Sequence, residues 1–156
     1  MIVFDIQRFV TIGNFKSNTL LSGTSGNDSI ANYNLGKSVT INAGAGNDSI
    51  YNDGDNVTIY GGAGNDTIFN YFGSSVTIDG GAGNDFINVG FWAGATIIKA
   101  GVGNDTIFNP WYKSPHYKSF TLEVGSYTSV TNGNDKLKMK PTTKKLTTTL
   151  LNCMIQ

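Results

Sequence analysis

A Gly-Asn-Asp tripeptide recurs six times along the 156-residue chain, ending at Asp28, Asp48, Asp66, Asp85, Asp105 and Asp135. The first five copies are 20, 18, 19 and 20 residues apart, and the sixth follows after 30. Such a nearly fixed spacing is typical of repeat proteins, in which each unit buries its apolar face only against neighbouring units. The chain is therefore expected to stack short structural units along one axis.

Each repeat contains two short apolar alternations. Isoleucine follows two residues after each of the first five aspartates, at Ile30, Ile50, Ile68, Ile87 and Ile107. A second alternation comes about ten residues after each of the first four aspartates, as Val39-Thr40-Ile41, Val57-Thr58-Ile59, Val76-Thr77-Ile78 and Ala95-Thr96-Ile97. Because side chains alternate between the faces of a strand, we expect these isoleucines and the outer residues of each triplet inside, with the central Thr outside.

These strands are too short to bury a face alone, but equivalent strands stacked about 4.8 Å apart form continuous ladders. The pattern predicts an all-β fold, a parallel β-roll (β-solenoid) with about 19 residues per coil and five to six coils with end caps. We expect cap strands over 1–22, the roll over 23–108, and an irregular last coil with a basic Thr/Lys-rich tail over 109–156. Phe120-Thr121-Leu122 is expected to resume the second strand of that coil.

Asparagine recurs four residues after most of the repeated aspartates, at Asn32, Asn52, Asn70 and Asn109, with Val89 in the fourth copy. Stacked Asn side chains can hydrogen-bond along a coil axis. Asn is equally common as an ordinary turn residue, so both interpretations remain open from the sequence.

Charge is distributed unevenly although the net charge is zero. Ten Asp against one Glu disfavour a helical protein, since Asp, Gly and Asn are turn residues. Residues 23–108 carry a net charge of −6 and residues 109–156 a net charge of +5. The acidic centre indicates a bound cation, and we expect no nucleic-acid partner, the basic tail being solvated.

A single cysteine, Cys153, excludes internal disulfides and a cysteine-based zinc site. Met1–Phe15 has no cleavable signal-peptide pattern, and no apolar run approaches the 18 residues of a membrane helix. A metal ion is then the expected staple for a chain outside the cell.

The turn before each aspartate has the composition of a calcium site. Glycine at its second and fourth positions allows positive φ and lets backbone carbonyls converge, while Asp adds a short oxygen ligand. Carbonyls and carboxylates suit Ca²⁺, which takes 6–8 oxygens. Stacked carboxylates about 5 Å apart would repel each other by roughly 3 kcal/mol at an effective dielectric of 20, and a divalent cation reverses that sign.

GGAGNDTIF (Gly61–Phe69) and GGAGNDFIN (Gly80–Asn88) resemble the nonapeptide G-G-x-G-x-D-x-U-x of the repeats-in-toxin (RTX, hemolysin-type) calcium-binding family. The resemblance implies a right-handed roll in which each Ca²⁺ lies between successive turns, held by turn carbonyls and the aspartate. It also implies secretion from a bacterium into calcium-rich surroundings. The end of the chain, Thr147–Gln156, shows no clear export signal.

The resemblance implies side-chain ligands at Asp28, Asp48, Asp66, Asp85 and Asp105. Backbone ligands are expected among Gly44, Gly46, Gly61, Gly62, Ala63, Gly64, Gly80, Gly81, Ala82, Gly83, Gly101 and Gly103. Five stacked turns would hold four Ca²⁺. A fifth ion requires Asp135 to join the row, although its copy keeps only Gly133 of the turn glycines.

The opposite edge of the roll does not match the nonapeptide, whereas RTX proteins usually carry metal turns on both edges. Its turns are Tyr33–Ser38, Asp53–Asn56, Tyr71–Ser75 and Gly90–Gly94. We therefore expect one calcium row. Asp53 and Asp55 are expected to be solvated turn residues, the alternative being that they bind a single further cation.

No enzymatic activity is expected. The single histidine, His116, excludes multi-histidine metal sites, and no G-x-S-x-G motif is present. The expected function is that of a structural calcium-binding module, secreted or at the cell surface, that folds or stiffens on binding Ca²⁺. The alternative is calcium-dependent carbohydrate binding through aromatics at the metal-free edge: Tyr33, Tyr71, Phe72, Phe91, Trp92, Trp111 and Tyr112. Ice binding is disfavoured because the third turn position lacks threonine.

Overall fold

The structure is a computed structural model that describes residues 9–90, 93–108, 120–123, 127–132, 135–139 and 145–147. These residues form short strands and contain no helix. The strands are β1 (Thr11–Asn14), β2 (Leu20–Ser22), β3 (Ser29–Asn32), β4 (Thr40–Ala45), β5 (Ser49–Asn52), β6 (Thr58–Ala63), β7 (Thr67–Asn70), β8 (Val76–Ala82), β9 (Phe86–Val89), β10 (Thr96–Lys99), β11 (Asn104–Phe108), β12 (Phe120–Glu123), β13 (Tyr127–Asn132), β14 (Asp135–Met139) and β15 (Lys145–Thr147).

Successive strands alternate between two sheets. One sheet has the order β1-β3-β5-β7-β9-β11-β13-β14, and the other has the order β15-β12-β10-β8-β6-β4-β2. Pairing is parallel from β1 to β13, and equivalent repeat residues face each other, as Ile30 does Ile50. The predicted all-β parallel solenoid is confirmed.

Isoleucine ladders fill the space between the sheets. One sheet contributes Ile30, Ile50, Ile68, Ile87 and Ile107, all at most 1% exposed. The facing sheet contributes Val39, Ile41, Val57, Ile59, Val76, Ile78 and Ile98. Full burial of such a side chain contributes about 1.5–3 kcal/mol, so the stacked ladders are the main apolar stabilisation of strands this short.

The prediction for Ala95-Thr96-Ile97, with Ala95 and Ile97 inside and Thr96 outside, is wrong by one residue. Thr96 pairs with Val76 and Ile98 with Ile78, so Thr96 and Ile98 point inward. Ile97 is instead 40% exposed. The turn between Val89 and β10 is one residue longer than its predecessor, and period-2 alternation then moves each side chain of β10 to the face opposite to the expected one.

The two edges of the roll differ in their tolerance of length. Along one edge, the step from the last inward Leu or Ile to the aspartate is always seven positions, as from Leu21 to Asp28 and from Ile98 to Asp105. Along the other edge, the step from Asn52 to Val57 is five residues, whereas that from Val89 to Thr96 is seven. All the variation in repeat spacing is therefore absorbed at the edge away from the aspartates.

Strands at both ends of the roll extend the two sheets. β1 and β2, which lie in the region expected to form a cap, pair in parallel register with β3 and β4. At the other end, Phe120-Thr121-Leu122 begins β12 and pairs with β10, as predicted. β14 and β15 pair antiparallel with β13 and β12, so the chain turns back over both sheets after residue 132.

The turns of the edge away from the aspartates share one strained corner. A residue other than glycine has positive φ at the same place in four successive turns: Asn18 (54°), Ser38 (55°), Asn56 (56°) and Ser75 (58°). The backbone N–H groups of Asn18, Ser38 and Asn56 each donate to a carbonyl of the following turn, at 2.8–2.9 Å. These inter-turn bonds offset the cost of the left-handed conformation.

Candidate metal centre

Strand parity places the repeated aspartates inside the edge of the roll. In the first three units the aspartate, the isoleucine and the asparagine are two residues apart, so all three point inward, and in the fourth unit Val89 takes the place of the asparagine. Asp28, Asp48, Asp66, Asp85 and Asp105 are consequently only 1–3% exposed. Five carboxylates thus form a buried row at one edge.

One oxygen of each carboxylate is hydrogen-bonded to the preceding coil. The backbone N–H of Asp28 donates to Oδ1 of Asp48 at 2.7 Å, and that of Asp48 donates to Oδ1 of Asp66 at 2.8 Å. Asp66 and Asp85 donate in the same way to the next carboxylates, at 2.9 and 3.1 Å. This ladder fixes both the position and the spacing of the row.

The second oxygen, Oδ2, is buried without a hydrogen-bond partner in Asp48, Asp66, Asp85 and Asp105. An ionised oxygen without a donor or a counter-charge is very costly to bury, so each of the four requires a cation or a proton. This donor set fits Ca²⁺, which is bound by carboxylate and carbonyl oxygens.

Glycine gives the turns the conformation that converging carbonyls need. The second and fourth turn positions have φ between 102° and 147° in four turns, as at Gly62 (111°) and Gly64 (129°). A β-carbon on Gly62 would overlap the carbonyl oxygen of Gly44 in the coil below. At the first position, a β-carbon on Gly61 would lie 2.5 Å from Oδ2 of Asp66 and would overlap the carbonyl oxygen of Gly80. Carboxylate and carbonyl oxygens of adjacent coils therefore meet at the glycine backbone.

The predicted backbone ligands all lie in these four turns. Gly44 and Gly46 precede Asp48; Gly61, Gly62, Ala63 and Gly64 precede Asp66; Gly80, Gly81, Ala82 and Gly83 precede Asp85; Gly101 and Gly103 precede Asp105. The carbonyls of Ala63 and Ala82 accept a hydrogen bond from the preceding turn, at 2.8 and 2.7 Å. A carbonyl oxygen has two lone pairs, so each keeps one for a metal.

The first turn has a different structure. Neither Thr24 nor Gly26 is among the residues with positive φ. The Thr24 N–H donates to Oδ2 of Asp28 at 2.5 Å, and the Thr24 hydroxyl lies 3.1 Å from both carboxylate oxygens. Val10 N–H donates to Oδ1 at 2.6 Å. Protein donors thus occupy both oxygens of Asp28.

Burial makes the other carboxylates resist ionisation. Desolvation raises the pKa of Asp66 to about 6, and neighbouring Asp85 and Asp48 add to the rise. The pKa of Asp105 is likewise raised to about 6, mainly by burial. Burial also raises the pKa of Asp48 and that of Asp85. At neutral pH the row holds negative charge that the fold itself does not stabilise.

Asp135 lies away from this row. The strand register pairs Asp105 with Thr128, so Thr128 takes the next position along the stack. Asp135 begins β14 and pairs with Asn132 in the antiparallel hairpin. The aspartate of the sixth Gly-Asn-Asp therefore lies at the start of β14 and not at the next position of the row.

A second polar ladder runs along the outside of the turns and was not part of the sequence prediction. The backbone N–H groups of Asn47, Asn65, Asn84 and Asn104 each donate to Oδ1 of the asparagine one coil earlier, at 2.6–2.8 Å. These bonds run opposite to those of the aspartates. The invariable Asn before each Asp was the available signal.

The opposite edge holds a buried amide ladder, which resolves the two interpretations of the repeated asparagines. Asn14, Asn32 and Asn52 each donate from Nδ2 to Oδ1 of the next asparagine, at 2.8–2.9 Å, ending at Asn70. Asn14 was missed because it precedes the first Gly-Asn-Asp, and Asn109 lies outside the described residues.

Asp55 accepts from Lys37 at 3.2 Å and from the Ser74 N–H at 3.0 Å, so it links neighbouring turns.

The aromatic residues of this edge pack mainly on each other. Phe15 and Tyr33 are stacked at 4.5 Å, and tilted contacts of 6.2 and 5.8 Å continue from Tyr33 through Tyr51 to Tyr71. Ring faces are therefore partly covered by neighbouring rings. Of the other aromatics proposed for sugar binding, Phe72 is 49% exposed, and Phe91, Trp92, Trp111 and Tyr112 lie outside the described residues, as do His116 and Cys153.

Among the described residues, no group of three or more His, Cys, Asp and Glu side chains converges on one point. Each carboxylate of the row meets only its neighbours along the stack, so most ligands of a bound ion would be carbonyl oxygens. The described part of the chain likewise contains no helix able to cross a membrane.

Comparison with known protein families identifies the repeat that carries the aspartate row. The RTX calcium-binding nonapeptide repeat matches in four copies, at residues 37–58, 53–76, 73–91 and 93–108. This part of the chain belongs to the RTX calcium-binding repeat family. Searches of curated proteins and of solved structures found no significant match. The RTX repeats cover the four turns with positive-φ glycines, and the matched segments begin after the Thr24 turn.

Residues 37–108 are thus a calcium-binding repeat module built as a β-solenoid, and calcium is its expected partner. The RTX repeat is a structural calcium-binding unit.

Proposed function

We propose that the chain is a non-catalytic structural module that binds four Ca²⁺ in a single row and becomes stiffer on doing so. The observation that carries the proposal is the set of buried Oδ2 atoms without donors at Asp48, Asp66, Asp85 and Asp105. One ion for each such oxygen gives four. Asp28 is not a ligand in this proposal because Thr24 and Val10 already occupy its oxygens. A fifth ion at Asp135 is not proposed because Thr128 takes that register position.

The stiffening follows from the charge of the row. Without a cation, neighbouring buried carboxylates repel each other and oppose stacking of the coils. Bound Ca²⁺ supplies the missing charge, and its binding free energy adds to the stability of the stacked state. We place this module outside the cell or at its surface, as is usual for calcium modules that bind in the 10⁻⁴–10⁻³ M range. It would be ordered there and less ordered at cytoplasmic calcium.

Calcium titration tests the proposal. Equilibrium dialysis with elemental analysis is expected to find four Ca²⁺ per chain at millimolar calcium, and Mg²⁺ at the same concentration should not replace them. The melting temperature should rise between EDTA and CaCl₂. A stoichiometry of one or none, or equal melting temperatures in both conditions, would show that the row is not a calcium site.

A second candidate function is calcium-dependent carbohydrate binding. It is favoured by the row of partly exposed rings at the metal-free edge, where Tyr33 and Tyr71 are each 37% exposed. We place it second because Phe15 and Tyr33 stack on each other, which leaves less ring face for a sugar. A glycan array probed in CaCl₂ and in EDTA tests it, and absence of hits in CaCl₂ would leave the structural role alone.

A further inference from the structure

The connections between coils are of two chemical kinds, and they are not evenly distributed. One kind needs a cation: the aspartate pairs from Asp48 to Asp105, whose Oδ2 atoms lack donors. The other kind is complete with protein atoms alone. Its exposed asparagine ladder runs from Asn27 to Asn104, whereas its buried members are concentrated towards the amino terminus.

The Thr24 turn is the first metal-independent connection. In the four RTX turns the second position is a glycine with positive φ, as at Gly44 (109°). In the first turn Thr24 stands there and directs its N–H and hydroxyl to Asp28, whose other oxygen accepts from Val10. A carboxylate with donors on both oxygens can be buried while ionised, without a metal.

The buried amide ladder is the second. Each Nδ2 of Asn14, Asn32 and Asn52 also donates to a carbonyl of its own turn, to Lys16, Gly36 and Gly54, at 2.7–2.9 Å. Both amide protons are therefore satisfied, and the chain of bonds carries no net charge. The four asparagines are at most 6% exposed, so water does not compete for these bonds.

The ladder ends in the middle of the roll. Asn70 pairs in register with Val89, which has no polar group, and its Nδ2 instead reaches Gly73 O at 3.1 Å and Thr96 Oγ1 at 3.4 Å. Within the described residues 93–108, no buried asparagine continues the ladder. The contacts of Asp55 with Lys37 and Ser74 likewise lie before Val89, where the asparagine position is first lost.

We infer that the roll responds to calcium in two parts: the coils of β1–β5 keep their hydrogen-bonded structure without calcium, whereas the coils of β8–β11 require it. The inference rests on the proposed calcium row, since it assigns that row's effect to one part of the roll. Calcium removal would then fray the module from β8 towards its carboxyl end and leave an ordered amino-terminal remnant.

Hydrogen exchange of the full chain, measured by mass spectrometry in CaCl₂ and in EDTA, tests the inference. Peptides from residues 11–52 are expected to exchange at similar rates in both conditions. Peptides from residues 80–108 are expected to exchange at least about tenfold faster in EDTA. Equal acceleration in both segments would overturn the inference but leave the proposed function intact. No acceleration in either segment would overturn both.

Thr24→Gly tests whether Thr24 is what makes the first turn independent of calcium. It gives the first turn the sequence GGSGND and removes the hydroxyl donor. Residue 24 can then take the positive φ of the other four turns, in which the N–H at this position does not donate to Oδ2 of the aspartate. Residues 11–42 should then become calcium-sensitive in hydrogen exchange, and the stoichiometry should rise by one ion. Ser25→Gly is the matched control, since it adds the same backbone freedom at an exposed neighbouring position. Calcium sensitivity that is unchanged in Thr24→Gly, or equal in the two variants, would contradict the role assigned to Thr24.

Discussion

Asp66 and Asp85 share a single hydrogen bond, from the backbone N–H of Asp66 to Oδ1 of Asp85 at 2.9 Å, and Oδ2 of Asp85 has no donor. One carboxylate oxygen thus belongs to the fold and the other is left for a cation. A neutral residue of the same shape would keep the first interaction and lose the second.

Asp85→Asn is therefore expected to separate metal-free stability from calcium binding. The amide oxygen still accepts from Asp66, and a buried charge is removed, so the melting temperature in EDTA should rise by a few degrees. In CaCl₂ the variant should bind one ion fewer and gain less stability. Asp55→Asn is the control for stoichiometry, because it removes a carboxylate at the opposite edge whose oxygens already have Lys37 and the Ser74 N–H as partners. A calcium stoichiometry equal to that of the unsubstituted chain would contradict the assignment of Asp85.

The metal-free roll should be more stable in mild acid than at neutral pH. The folded-state pKa of Asp66 and that of Asp105 are about 6, above the usual 3.8. The folded chain therefore holds protons that the unfolded chain has released, and stability is present in full below about pH 4 and lost as pH rises through about 6. Thermal melts in EDTA between these values measure the slope.

Calcium should reverse the sign of this pH dependence. Protons compete with Ca²⁺ for the same oxygens, so in CaCl₂ stability is expected to fall as pH drops below about 6. The same slope with and without calcium would show that these carboxylates do not bind the metal.

Gly62→Ala should be among the most destabilising single-methyl additions. Gly62 has φ of 111°, and its β-carbon would overlap the Gly44 carbonyl oxygen. The conformational cost alone is about 1–2 kcal/mol, and moving the Gly44 carbonyl adds to it. Gly13→Ala is the control, because its β-carbon would meet nothing closer than Tyr33 Cε2 at 3.5 Å. Chemical denaturation in CaCl₂ compares the two, and equal losses would exclude the close approach as the cause.

Ser38→Asn and Ser75→Asn are expected to stabilise the roll. Both serines have positive φ at a corner where two other turns use asparagine, which tolerates that conformation better. A gain of about 0.5 kcal/mol per site is expected in urea denaturation. Ser49→Asn, in the exposed face of β5, lacks this reason and should be neutral or slightly destabilising. A loss of stability in both corner variants would mean that the serines have another role.

The fold was predictable because its core and its turns repeat in the same register. The isoleucine positions, the parallel pairing and the aspartate row all follow from one alignment of the Gly-Asn-Asp copies. The error at Ala95-Thr96-Ile97 arose from counting forwards across a turn of variable length. Counting seven residues back from Asp105 reaches Ile98, as it reaches Ile78 from Asp85, so the signal was present in the constant edge.

The unusual first turn was harder to predict. In the sequence, a threonine in place of glycine looks like a weakened motif. In the structure, the N–H and hydroxyl of Thr24 donate hydrogen bonds to Asp28, so that both of its oxygens have protein donors. Asp135 shows the opposite case: its tripeptide is preserved in the sequence, but Asp135 itself begins a strand that pairs antiparallel with β13. Both outcomes depend on contacts between coils, which no single copy of the repeat contains.

The unequal edges have a practical consequence for engineering. Because the side of the roll away from the carboxylates already accommodates steps of five, six and seven residues, a guest peptide inserted beside Asn56 or Ser75 would leave the opposite side in phase. Successive grafts would then project from neighbouring coils at strand separation. Foreign loops could therefore be displayed along this side at regular intervals of about 4.8 Å, while the opposite side keeps its register.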